Sequence, residues 1–159
     1  VGACRYAPRG YRSFGPVRAT WYGGADYFQK ANDTIVTMAM IETTQAVDNL
    51  DGILSVPGLD AIYIGPNDLA ITLGCAPSGV PTDAKVLNTI RTILAGAKRH
   101  GVRAGLHCGS PAMAKEMIGL GFQFVTVMGD NAFLAAAAKS AVTEVRSGIA
   151  AAPSGGSTY

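Results

Sequence analysis

Four short, mostly apolar runs recur along this chain, and a stretch of helical period follows each of them. The runs are residues 34–41, 61–64, 102–107 and 122–127. Apolar residues in succession, rather than in alternation, mark strands of a parallel sheet covered by helices. The segments between supply those helices. Residues 43–55 place Ala46, Val47, Leu50, Ile53 and Leu54 at helical spacing, and Pro57-Gly58 ends them. Residues 82–100 carry a stripe of Val86, Leu87, Ile90, Ile93, Leu94 and Ala97, with Thr82-Asp83 as the cap and Gly101 as the stop. Ser110-Pro111 opens a helix that Gly121 closes, and Asp130 opens an alanine-rich helix to about residue 147. Residues 26–32 read as one further short helix, and 72–81, rich in Gly and Pro, as a loop.

The order β-α-β-α-β-α-β-α fits two architectures: an open doubly wound sheet, or half of a (β/α)8 TIM barrel. A complete barrel takes about 250 residues, and this chain has 159. No GxGxxG follows a strand and no P-loop occurs, which weighs against a nucleotide-binding open sheet. The α/β fold expected is four βα units of a barrel, incomplete on its own. It spans residues 1–149, with a loop-like leading segment over 1–23. The Ala, Pro, Gly and Ser of residues 150–159 read as a disordered tail.

Apolar residues make up 48% and charged residues 15% of the chain, a globular composition. A net charge of +2, with scattered basic residues, argues against nucleic acid or an anionic membrane as partner. The one basic cluster, Lys98-Arg99-His100, falls at a helix end, where cations suit the dipole. Three cysteines, Cys4, Cys75 and Cys108, form no CxxC pair. That count suits the reducing cytoplasm better than a disulfide framework or a zinc site. No run approaches the roughly 18 apolar residues of a membrane span.

The chemistry is written at two strand ends. Ile41-Glu42-Thr43 and Gly65-Pro66-Asn67-Asp68-Leu69 each place one acid just past an apolar run. An acid there projects into the crevice where such folds bind ligands. Two acids from neighbouring strands are what a divalent cation needs from a protein when water and substrate complete its shell. Each acid taken singly also suits the first turn of a helix.

These residues carry a resemblance. Met40-Ile41-Glu42-Thr43 and the stretch from Pro57-Gly58-Leu59-Asp60 to Gly65-Pro66-Asn67-Asp68-Leu69-Ala70 resemble the HpcH/HpaI aldolases, metal-dependent (class II) pyruvate aldolases on a (β/α)8 barrel. Ile64-Gly65-Pro66-Asn67-Asp68-Leu69 is similar to the family's G-P-x-D-L. Tyr6-Ala7-Pro8-Arg9-Gly10-Tyr11-Arg12 is similar to its Y-P-P-x-G-x-R, and residues 122–130 to its last strand and following turn. The match implies the C-terminal half of the barrel. It implies that Glu42 and Asp68 hold Mg, Mn or Co, and that Gly65, Asn67 and Asp68 bind the substrate carboxylate through backbone amides. Met40 stands where the family has Gln. The family's His base and pyruvate-binding Arg belong to the first half of the barrel, so no catalytic base is assigned from this chain.

The activity implied is reversible cleavage of a 4-hydroxy-2-oxo acid to pyruvate and an aldehyde, through a metal-held enolate. It implies a homo-oligomer, with the alanine-rich helix as subunit contact, and a missing barrel half from the same parent chain or another chain. Two other readings stand beside it. One is a citrate-lyase or malyl-CoA type of carbon-carbon lyase, for which no basic CoA patch is visible. The other is a non-catalytic barrel fragment serving assembly. His107, at the end of the third strand, reads as a hydrogen-bonded rim histidine or as a site residue. Cys108 points to the opposite face from His107, which opposes a Cys-His dyad. His100 reads as structural or solvated. Arg12 reads as structural, or as part of the site rim or a subunit contact.

Overall fold

A computed structural model of the chain describes residues 1–15, 17–147 and 149. The chain divides into two compact units, Val1–Val127 and the residues from Met128 onward. The first unit holds strands β1 (Met38–Ile41), β2 (Ala61–Ile64), β3 (Arg103–Leu106) and β4 (Phe124–Val125). Its helices are α1 (Val17–Gly23), α2 (Tyr27–Thr34), α3 (Thr44–Asp48), α4 (Leu50–Leu54), α5 (Pro66–Thr72), α6 (Ala84–Arg99) and α7 (Pro111–Leu120). The second unit holds α8 (Asp130–Ser147), which buries none of its side chains.

All strand pairs are parallel, and the order across the sheet is β1-β2-β3-β4. This order settles how the sheet is wound. Right-handed crossovers that always step to the next strand in the same direction put every connecting helix on one face. A doubly wound sheet reverses direction part-way, and this one does not. Ile41, Ile62, Ile64, Ala104 and Leu106 on that face pack with Leu50, Leu54, Leu69, Ile90, Ile93, Leu94, Ala97, Met113 and Met117.

The other face is uncovered. Met38 is 40%, Met40 52% and Phe124 52% exposed there. The apolar runs are real, but one-way winding supplies helices to one side only.

Caps set the helix starts as expected. Asp83 accepts a hydrogen bond from the Lys85 amide at 2.7 Å, and Ser110 from the Met113 amide at 3.1 Å. Gly121 ends α7 at φ 108°, a conformation that costs a side-chain residue energy and glycine little.

Three expectations are corrected. The leading segment is not all loop: it contains a 3-10 turn at Gly2–Cys4 and the helix α1, which packs on α2. A seven-residue helix flanked by Gly and Pro shows no period of its own and depends on that tertiary contact. The first strand starts at Met38, not at residue 34, because α2 runs through Thr34. The helix expected over 43–55 is two, meeting at Asn49 (φ −98°, ψ 16°), whose side-chain amide donates to the Gln45 carbonyl at 2.8 Å. Asn competes for backbone groups in this way and so favours helix ends.

Candidate functional site

The sheet register brings the sequence candidates to one edge of the uncovered face. Ile41 pairs with Ile64, Ile64 with Leu106, and Leu106 with Val125. The next residue on each strand extends the alignment, so Glu42, Gly65, His107 and Thr126 form a row at the carboxyl end of the sheet. Side chains alternate faces along a strand. Ile41, Ile64 and Leu106 point into the core, so the row shares the face of Met40, Tyr63 and Phe124.

Glu42 is half-buried and lies immediately after β1. Gly65 is the N-cap of α5, and a Cβ there would overlap the Glu42 carboxylate. Gly65 therefore makes room for the acid against its own backbone. The far end of α5 is tied back too, since Thr72 Oγ1 donates to the Glu42 main-chain carbonyl at 3.4 Å.

Asp68 is exposed in the first turn of α5. Neither the Glu42 nor the Asp68 carboxylate has a hydrogen-bond or ion-pair partner among the described residues. Gly65 supplies no side-chain cap, and Pro66 at the helix start has no N–H. The amides of Asn67 and Asp68 are thus first-turn donors without a side-chain cap, a local arrangement that suits an anion.

The donor set fits a hard divalent cation. It consists of two unpaired carboxylates from adjacent strand ends, both oxygen ligands. No cluster of three or more His, Cys, Asp or Glu side chains occurs among the described residues. The protein would supply two ligands, and water and substrate the others, as is common for Mg²⁺.

His107 joins these residues more closely than sequence alone indicated. Its backbone N–H donates to the Ile64 carbonyl at 3.1 Å, which continues the β2–β3 ladder. Its Nδ1 lies 3.0 Å from Thr126 Oγ1 and 3.4 Å from Tyr63 Oη. Thr126 Oγ1 also accepts from the Cys108 amide at 3.1 Å. Tyr63 and Phe124 were not singled out by sequence. Their rings meet at 5.7 Å between centroids, and a Cβ on the intervening Gly105 would crowd both. The signal was present as the alternation Tyr63, Gly65 and Gly105, His107, but it needed the register to be read. Met40 is on this face, one row below Glu42.

The remaining candidates lie elsewhere. Cys108 is fully buried on the core face, and burial raises its thiol pKa, so no dyad with His107 forms. Arg12 donates to Tyr27 Oη at 2.9 Å, and its guanidinium lies 4.8 Å from the Tyr6 ring centroid. It braces the leading segment on α2. The basic cluster is also structural: Lys98 Nζ donates to the Leu120 carbonyl at 2.7 Å, while Arg99 and His100 reach Asp51 at 3.4 and 3.0 Å. Those contacts hold the Asp51 carboxyl below its ordinary pKa, the His100 hydrogen bond being the largest cause.

The geometry has a counterpart among known proteins. The family model for HpcH/HpaI aldolase/citrate lyase matches residues 1–146.

This chain belongs to the HpcH/HpaI aldolase/citrate lyase family.

A hydroxypyruvate/pyruvate aldolase of Rhizorhabdus wittichii is 43% identical over 146 residues, which is 92% of this chain and 58% of that protein. A 4-hydroxy-2-oxo-heptane-1,7-dioate aldolase of Escherichia coli is 37% identical over 143 residues, 88% of this chain and 54% of that protein. Among solved structures, a family member from Burkholderia cenocepacia J2315 superposes with a TM-score of 0.77 at 32% identity, covering 90% of this chain and 57% of its own. The chain thus spans a little over half the length of the relatives it matches. No helix among the described residues is long and apolar enough to cross a membrane.

Proposed function

We propose that this chain is the C-terminal half of a (β/α)8 barrel aldolase, residues 1–149 forming that half. In this reading it cleaves a 4-hydroxy-2-oxo acid reversibly to pyruvate and an aldehyde, with a divalent cation. The observation that carries the reading is the pairing of Glu42 with the Gly65–Asp68 turn: two partnerless carboxylates beside uncapped amides, at the carboxyl ends of adjacent parallel strands. Relatives named as aldolases, matched over most of this chain, support it. The one-way winding and the open face of the sheet support the half-barrel form.

Glu42 and Asp68 would hold the cation, which when bound acts as a Lewis acid on the keto group. Residues of this chain would bind and orient the substrate. The amides of Asn67 and Asp68 bind the substrate carboxylate and fix its direction. Gly65 keeps the Glu42 carboxylate close to that turn. Met40, Tyr63 and Phe124 give the carbon chain an apolar floor. A small-molecule keto acid and an aldehyde are the ligands in this reading, and the cytoplasm is its compartment. Phe133, Leu134, Val142 and Val145 are exposed on α8 and suit a contact with a second subunit.

Pyruvate release from a 4-hydroxy-2-oxo acid should require Mg²⁺ or Mn²⁺ and stop with EDTA. Glu42→Ala and Asp68→Ala should each lower kcat/KM by about 100-fold or more, since a Lewis-acid contribution is worth several kcal/mol. Full activity in both variants would exclude this metal site.

A further inference from the structure

We propose that His107 selects the aldehyde half of the substrate and favours one that carries an uncharged hydroxyl group, a role that rests on the aldolase reading above. The place of the ring leads to it. Glu42, Gly65 and His107 are successive members of one row, on the same face and at the same sheet end. Adjacent strands lie about 4.8 Å apart, so the His107 backbone is about 5 Å from Gly65 and about 10 Å from Glu42. With the keto-acid end at Glu42 and the amides of Asn67 and Asp68, the carbons that leave as the aldehyde run along the row toward His107.

One imidazole nitrogen is held and the other is not. Nδ1 lies 3.0 Å from Thr126 Oγ1 and 3.4 Å from Tyr63 Oη, and Nε2 has no partner among the described residues. The ring is half-buried, and the Ile64 carbonyl accepts from its backbone amide at 3.1 Å. A purely structural task does not account for it. Thr126 Oγ1 also accepts from the Cys108 amide at 3.1 Å, so β3 and the residue after β4 are joined without the imidazole.

The two partners of Nδ1 define the group that Nε2 suits. A carbonyl or carboxylate beside Nδ1 could only accept and would fix one tautomer. Hydroxyls donate or accept by rotating. When Thr126 or Tyr63 donates to Nδ1, Nε2–H is a donor. When Nδ1–H donates to one of them, Nε2 is an acceptor. A ring free to do either matches a hydroxyl, which is itself both donor and acceptor.

Charge points the same way. The row of Glu42, Gly65, His107 and Thr126 holds no Lys or Arg. The cation on this face of β3 is Arg103, four residues before His107 and so about 13 Å away along the strand. An aldehyde ending in a carboxylate would bring a further negative charge near Glu42 and Asp68, with no cationic side chain in the row to receive it. One row down, Tyr63 and Phe124 offer ring faces to the carbon chain. The surface is therefore apolar with one neutral polar contact at its far end.

The test uses aldol addition of pyruvate, with Mn²⁺, to three aldehydes. Glycolaldehyde and propanal differ by a hydroxyl in place of a methyl, and succinic semialdehyde ends in a carboxylate. His107→Leu should lower kcat/KM for glycolaldehyde about 10-fold, the worth of one hydrogen bond between neutral groups. Its values for propanal and succinic semialdehyde, and its Mn²⁺ affinity by titration calorimetry, should stay close to those of the unmodified protein. Comparing each aldehyde between the two proteins cancels differences in intrinsic reactivity. His107→Gln, whose amide both donates and accepts, should keep a larger glycolaldehyde-to-propanal ratio than His107→Leu. An equal loss with glycolaldehyde and propanal, or no loss with either, overturns the role, and an equal loss with succinic semialdehyde overturns the hydroxyl preference. Pyruvate addition to none of the three by the unmodified protein overturns the aldolase reading itself, and this role with it.

Discussion

Glycine 65 shows how much a missing side chain can decide. At φ −93° and ψ 95° its backbone suits any residue. Its identity is set instead by the Glu42 carboxylate lying where a Cβ would be. Gly65→Ala should therefore fold with nearly unchanged stability, because Glu42 can swing toward solvent. Its Mn²⁺ affinity, read by titration calorimetry, should fall about 10–100-fold, as when the support of a ligand is lost. An unchanged affinity would show that the carboxylate does not bind from this position. At this scale the sequence was readable for the acids, since Glu42 directly follows one apolar run and Asp68 lies in the turn after the next. It was not readable for Tyr63, whose hydroxyl matters only because His107 and Thr126 come to it from two other strands.

Helix α6 illustrates the element scale. Of its expected stripe, Val86, Ile90, Ile93, Leu94 and Ala97 are buried and Leu87 is half-buried. Ile93 is fully buried in the core, and α6 packs against α4, α5 and β3. Ile93→Ala should cost about 2–5 kcal/mol in urea unfolding, the usual range for a large apolar side chain removed from a core. A loss below 1 kcal/mol would mean that the cavity collapses. Long periodic helices of this kind are legible because their pattern repeats over several turns. The short elements were not: α1 has seven residues and shows no period, and the break at Asn49 depends on one side chain bonding its own helix.

At the scale of the whole molecule, the open sheet face is the dominant fact. Val36, Met38, Met40 and Phe124 are exposed, with β1 and β4 as free edges. Parallel sheets are ordinarily covered on both faces, and unpaired edges invite further strands. The 159-residue chain by itself should bind the dye ANS and associate with rising concentration in sedimentation experiments. Met38→Lys together with Phe124→Lys should reduce both signals. A monomer that binds no dye would contradict the half-barrel form.

The sequence by itself determined the strands, the capped helices, the α/β alternation and the two acids, because propensity, capping and periodicity act between residues close along the chain. Only the tertiary structure decided that the sheet winds one way, that its second face stays open, and that His107, Tyr63 and Thr126 meet beside Glu42 and Gly65. Those outcomes depend on which strand pairs with which, and in what register. Such pairings join residues 19 to 63 positions apart, so no local pattern encodes them.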